Sequence, residues 1–101
     1  MSLPDIRVVS PKAPDEIIAI PFDFSRLVDS IDSVVSVAVT VYKGADNNPS
    51  VMILNAPIVS GTTVFQLIQG GIDTVYYKVR ALVMVGQQRY GVSCILPVRA
   101  D

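Results

Sequence analysis

Large apolar residues alternate with small or polar ones along much of the chain. Ile18, Ile20, Phe22 and Phe24 alternate with Ala19, Pro21 and Asp23. Val35, Val37, Val39 and Val41 do the same against Ser36, Ala38 and Thr40, and Tyr77, Val79, Ala81 and Val83 against Lys78, Arg80 and Leu82. A period of two places each apolar set on one face of a β-strand. The valine-rich set is stiff at χ1 and suits a pleated, half-buried surface. Another strand is expected from Arg89 to Val98. Pro97 removes a backbone donor there, so that position is expected at a sheet edge or a strand end.

Turn-forming residues separate these runs. Lys43 to Ser50 collects Gly, Asp, Asn and Pro and reads as the longest polar loop. Ser60-Gly61-Thr62 sits at hairpin spacing between Ile58-Val59 and the run Val64 to Ile68. Gln69 to Asp73 is a second loop, and Val85-Gly86-Gln87-Gln88 is a tight turn. Ser25 to Val35 reads mainly as loop, with room for one turn through Leu27, Val28 and Ile31 after a Ser cap. About seven short strands with regular turns predict an all-β chain, a single immunoglobulin- or fibronectin III-like β-sandwich. Pro4, Pro11 and Pro14 make residues 1–14 an extended N-terminal arm, leaving 15–101 as the sandwich. Ile6, Val8 and Val9 on the arm either dock on their own sandwich, the favoured reading, or pair with a neighbouring subunit, because sheet edges accept strands readily. Tyr77 follows a Gly-rich loop at the start of the penultimate strand. It is read as a tyrosine corner, with its ring in the core, its hydroxyl bonded back to the loop and Tyr76 pointing the other way.

Composition narrows the chemistry. A chain of 101 residues gives one domain, and with 50% hydrophobic and 17% charged residues it has enough apolar mass for a real core. The net charge of -1 comes from scattered residues, which argues against binding nucleic acid or an anionic membrane through a basic patch. The absence of histidine excludes Ser-His-Asp, Cys-His and His-metal chemistry from this chain acting alone. Cys94, the single cysteine, has no intrachain disulfide partner and reads as a small buried thiol. Apolar runs stop well short of about 18 residues, so none is expected to span a membrane, and Met1 to Arg7 lacks a signal-peptide pattern.

The remaining candidates are carboxylates. Asp29 with Asp32, and Asp15 with Glu16, read as solvated loop charges, since no cleft is evident to shift one pKa against the other. Asp46-Asn47-Asn48 lacks the acidic twelfth position of a calcium loop. Gly70-Gly71 lacks the Lys-Ser/Thr of a phosphate loop. The reading is a non-enzymatic scaffold or binding module without cofactor or metal.

Local patterns form an ordered series. It begins with Pro14-Asp15-Glu16-Ile17-Ile18 leading into Phe22-Asp23-Phe24-Ser25, and continues through the apolar strand Ser33 to Val41. Ser60-Gly61-Thr62-Thr63-Val64 and Gly70-Gly71-Ile72-Asp73 follow. The series closes with Tyr77-Lys78-Val79-Arg80, Gln88-Arg89-Tyr90 and Ile95-Leu96-Pro97-Val98-Arg99, so that it covers the chain from about Lys12 onward. In this order the patterns resemble the small fiber-tail adaptor and neck proteins of tailed bacteriophages. There are two departures: Phe24 stands where Trp is common, and Thr74 stands where a Gly often precedes the Tyr strand.

The resemblance implies a virion structural protein, a ring-forming adaptor in the neck or tail region that connects the tail or head-tail connector to fibres. It would assemble in the bacterial host cytoplasm. Its expected partners are other virion proteins and copies of itself, with no nucleic acid and no membrane. Expected contact elements are the arm (Leu3, Ile6, Val8, Val9) and the polar loop (Asp46, Asn47, Asn48), with Phe22, Phe24 and Tyr77 structural. Two other readings stay open: a capsid decoration or other head-tail joining protein, and a stand-alone adhesion or carbohydrate-binding module using Tyr42, Tyr76 and Tyr90.

Overall fold

The computed structural model describes residues 7–100. Among them are seven strands: β1 (Arg7–Val8), β2 (Ile18–Asp23), β3 (Ser33–Lys43), β4 (Ile53–Ser60), β5 (Thr63–Ile68), β6 (Tyr76–Val85) and β7 (Gln88–Pro97). A short 3-10 turn, Pro49–Met52, leads into β4. The strands form a four-stranded sheet in the order β1-β7-β6-β3 and a three-stranded sheet in the order β2-β5-β4. Face to face they make the expected β-sandwich.

The inner faces follow the alternation in the sequence. Ile20, Phe22 and Phe24 are buried from the β2 side, and Tyr77, Val79, Ala81 and Val83 from β6. Cys94, Leu96 and Val98 complete the core from β7 and its end. Burying a side chain such as Phe22 contributes about 1.5–3 kcal/mol. Pro21 and Pro57 are tolerated because β2 and β4 are both edges of the three-stranded sheet, where a missing donor breaks no ladder bond. Pro97 closes β7, at a strand end as expected.

Two hairpins share one turn design. Ser60 pairs with Thr63 across Gly61-Thr62, and Val85 pairs with Gln88 across Gly86-Gln87. Gly61 and Gly86 each take φ +60° at the first central position, a conformation that glycine adopts without a Cβ clash. The β6–β7 turn is also tied down by Asp32, whose Oδ2 accepts the Gly86 N–H at 2.6 Å. One of the two loop carboxylates is thus a structural acceptor.

Val35 departs from the simple alternation. The register of β3 against β6 slips between Val34 and Ser36, so that Val34 faces Val83 and Ser36 faces Leu82. This bulge inserts one residue and reverses the parity of the strand. Val34 takes the core-facing place while Val35 is 41% exposed. Val37, Val39 and Val41 point inward as expected.

The polar loop is also shorter than the turn residues suggest. Its C-terminal part folds into the 3-10 turn, which buries Met52, and β4 begins at Ile53. Ser25 to Asp32 is a loop with a single turn, in which Val28 N–H reaches the Phe24 carbonyl at 3.0 Å.

Candidate partner-binding surfaces

From Arg7 onward the N-terminal arm folds back on its own sandwich. β1 runs parallel to β7, with Arg7 opposite Cys94 and Val8 opposite Ile95. Val9 N–H donates to the Ile95 carbonyl at 2.9 Å and Lys12 N–H to the Pro97 carbonyl at 3.0 Å. Arg7 reaches across the open edge of the sandwich and donates to the Pro21 carbonyl at 2.6 Å, linking the two sheets. Val9 packs against the core, whereas Val8 is 63% exposed. Leu3 and Ile6 lie outside the described residues.

Lys12 is buried, which the sequence analysis did not anticipate. Its Nζ donates to the carbonyls of Ala13 and Gly70, both at 2.7 Å. Burial lowers its pKa from the usual lysine value, and the negative charges of Glu16 and then Asp15 oppose that shift. Glu16 Oε1 accepts the Ala13 N–H at 2.7 Å and Glu16 N–H returns to the Ala13 carbonyl at 3.1 Å. The Pro14-Asp15-Glu16 pattern is therefore a corner that turns the arm into β2. No local pattern marks Lys12 for burial, since the Gly70 carbonyl that it meets lies far along the chain.

Tyr77 is the expected tyrosine corner. Its ring is fully buried, its oxygen accepts the Ile72 N–H at 2.9 Å, and its hydroxyl donates to Asp46 Oδ2 at 2.8 Å. Burial raises its pKa, the Ile72 N–H opposes the rise, and Asp46 adds to it. Neighbouring Tyr76 points the other way. Its oxygen accepts a hydrogen bond from Arg99 at 3.0 Å, which lowers its pKa.

Asp46 thus anchors the polar loop to the corner, and its Oδ1 also accepts the Asn48 N–H at 2.9 Å. Asn47 and Asn48 are exposed at the loop surface. Among the described residues the arm and this loop lie apart, since β1 is one edge of the four-stranded sheet and β3, which leads into the loop, is the other.

Thr74 has φ +74°, in the left-handed region where a β-branched residue is strained. Its N–H donates to the Val98 carbonyl at 2.8 Å, which holds the loop in that shape.

The three tyrosines proposed as a glycan platform do not form one. Tyr42 is exposed on β3, Tyr76 is engaged with Arg99, and Tyr90 packs against the core with its hydroxyl on Gln88 at 2.6 Å. Cys94 is fully buried, and desolvation pushes its thiol pKa up, away from reactivity.

The outer faces of the two sheets differ in chemistry. On the four-stranded sheet, Lys78 and Arg80 on β6 alternate with the buried positions, Arg89 lies on β7 and Lys43 ends β3. No carboxylate occurs on β1, β3, β6 or β7. Gly91 lets the Arg80 guanidinium lie flat on the sheet, because a Cβ at that position would collide with it.

The three-stranded sheet carries no Lys or Arg on its strands, and its one strand carboxylate is Asp23. Its outer face exposes Phe65 (38%), Ile58 (66%) and, just before β2, Ile17 (60%). Leu54 and Leu67 pair between them, half-buried.

Beneath this face, β4 bulges between Leu54 and Ile58 around Asn55 at φ +62°. The buried Gln66 spans the bulge. Its Nε2 lies 3.0 Å from each of the carbonyls of Leu54, Asn55 and Leu67, while its Oε1 has no partner among the described residues. Gln66 sits between Val64 and Ile68 at an inward position, so its burial was legible from the alternation and was not read.

Set against known proteins, residues 12–97 match the family model described as "Podophage GP4 fiber-tail adaptor protein gp77". No curated protein and no solved structure matches the chain. The matched span begins at the buried Lys12 and ends with β7, so it takes in every described strand except β1.

Proposed function

The chain belongs to the podophage fiber-tail adaptor family, and from that premise we propose that it forms a ring of copies where the neck or tail meets the fibres. In this reading it is a virion structural protein that assembles in the host cytoplasm and does no catalysis. One surface of each copy contacts the tail or head-tail connector and another contacts the fibre. The family match over residues 12–97 carries the proposal.

The fold supplies a compatible mechanism. A rigid sandwich holds separate surfaces at fixed spacing, and a ring makes modest contacts multivalent, so effective concentration raises the overall affinity. Candidate contact elements are the exposed part of the arm at Val8, its Leu3 and Ile6, and the loop tip at Asn47 and Asn48. Val9 and Asp46 support these elements from within, one through the core and one through Tyr77.

Immunogold electron microscopy of phage particles, with antibody raised to this domain, tests the placement. Gold at the neck or fibre junction is the expected result. Gold spread over the capsid would move the protein to decoration, and particles without label, intact or gently disrupted, would remove it from the virion.

A further inference from the structure

We propose that copies of this chain dock head to tail, the cationic outer face of the four-stranded sheet of one copy seating against the apolar outer face of the three-stranded sheet of the next. The inference deepens the ring reading above and rests on it, since it names the surfaces through which copies meet.

The partition of charge between the sheets carries the argument. Every Lys and Arg on a strand belongs to the four-stranded sheet, and the single strand carboxylate, Asp23, belongs to the other. Folding alone does not require this, because an outward position on either sheet tolerates either sign. Asp15 and Glu16 precede β2 and Asp23 ends it, so carboxylates stand at both ends of that strand, with Asp23 in the field of Arg26 and Arg7.

The four-stranded face has the matching arrangement. Lys78, Arg80 and Arg89 surround the half-buried Leu82 and Met84, which supply an apolar centre. Small neighbours, Ser36 opposite Leu82 and Ala38 opposite Arg80, leave that face low and open. An exposed apolar patch rimmed by polar residues marks an interaction surface, and complementary charge sets partner and register. The mixture of apolar centre and cationic rim suits a protein surface rather than a nucleic acid, which a chain of net charge -1 would not attract.

Two different patches on opposite sides of one chain give a heterologous contact. Such a contact closes into a ring or runs on as a filament, and does not stop at a two-fold dimer.

Sedimentation of the full chain and two doubly substituted forms tests this. One form carries Lys78→Glu and Arg80→Glu and blocks the cationic face; the other carries Ile58→Lys and Phe65→Lys and blocks the apolar face. The wild type is expected to form species larger than dimers as concentration rises, and each blocked form alone to remain a monomer. An equimolar mixture of the two should form a dimer and stop there, because each copy retains one competent face.

A wild type that stays monomeric overturns the proposal. So does either blocked form assembling alone, or a mixture that fails to pair. Circular dichroism checks that the strands persist, and Phe65→Ser with Arg80→Ser serve as milder substitutions if a double variant unfolds. Gold labelling away from the virion together with capped dimers would remove the adaptor reading and leave the docking intact; labelling at the neck without capped dimers would do the reverse.

Discussion

The two sheets have equivalent inner faces and dissimilar outer ones. Inside, Phe22 of β2 and Val79 of β6 are both fully buried in one core. Outside, β6 displays Lys78 and Arg80 while the opposite sheet displays Phe65 and Ile58. A soluble sandwich needs apolar inner faces and polar outer ones, and the four-stranded sheet departs from the second half of that rule at Val8, Val35 and Tyr42 but carries cations beside them, which the other sheet lacks. That other sheet has a proline in each edge strand and a bulge held by a buried amide. Its inner face serves the fold, and its outer face is left over for contact with another molecule.

The largest effects should come from the shared core, where the two sheets are expected to behave alike. Phe22→Ala should cost about 3–5 kcal/mol in denaturant unfolding through lost burial and a residual cavity. Val79→Ala should cost less, in keeping with the smaller volume removed. Two separate transitions in the wild type would break the equivalence of the inner faces, since one core should unfold once.

Gln66→Ala sharpens the contrast, because the four-stranded sheet has no counterpart to it. It should cost about 1–3 kcal/mol by leaving buried carbonyls in the β4 bulge without a donor. Hydrogen exchange should accelerate in β4 and β5 before β3 and β6. Equal acceleration in both sheets would show that the amide supports the whole core and not one bulge.

Each sheet is preceded or interrupted by one non-glycine residue at positive φ, Thr74 before β6 and Asn55 within β4. Asparagine tolerates that region and threonine does not. Thr74→Gly is therefore expected to raise stability by about 1 kcal/mol through relief of strain. Asn55→Gly should change it little. Thermal melts of the two variants decide the matter, and a loss on Thr74→Gly would show that the side chain itself is needed.

The smallest effect is spectroscopic. Tyr76 and Tyr77 start the same strand and point to opposite faces, so their pKa values move in opposite directions. In absorbance titration Tyr76 should ionise below the ordinary tyrosine value of about 10, and Tyr77 above it. Because the folded pKa of Tyr77 is raised, its stabilisation is intact below about pH 10 and is lost as pH rises through the folded value. Tyr77→Phe should remove that alkaline loss. Tyr76 has the reverse sign: its contribution is present above the ordinary tyrosine value and is lost as pH falls through its lowered folded value.

How much of this was visible in the sequence depends on distance along the chain. The inward sets of β2 and β6, the hairpin at Gly61, the tight turn at Gly86 and the tyrosine corner are local patterns, and they were legible before the fold was known. The family could also be read, because its motifs are the same turns and strand starts in order. Lys12 was not legible, because its burial depends on Gly70 arriving from far along the chain. Asp46 was read as a contact residue because nothing near it in sequence shows that Tyr77 will donate to it.

Alternation by itself determined which residues face inward on an unbroken strand, since successive side chains on a pleated backbone point to opposite sides. Only the tertiary structure decided where that rule breaks. The bulges beside Val35 and at Asn55 reflect how β3 and β4 must bend to stay in register with β6 and β5, an outcome of pairing between distant segments. The same holds for the separation of charge. Lys78, Arg80 and Arg89 lie scattered in the sequence, and they share one face only because β6 and β7 lie side by side while Asp23 belongs to the other sheet.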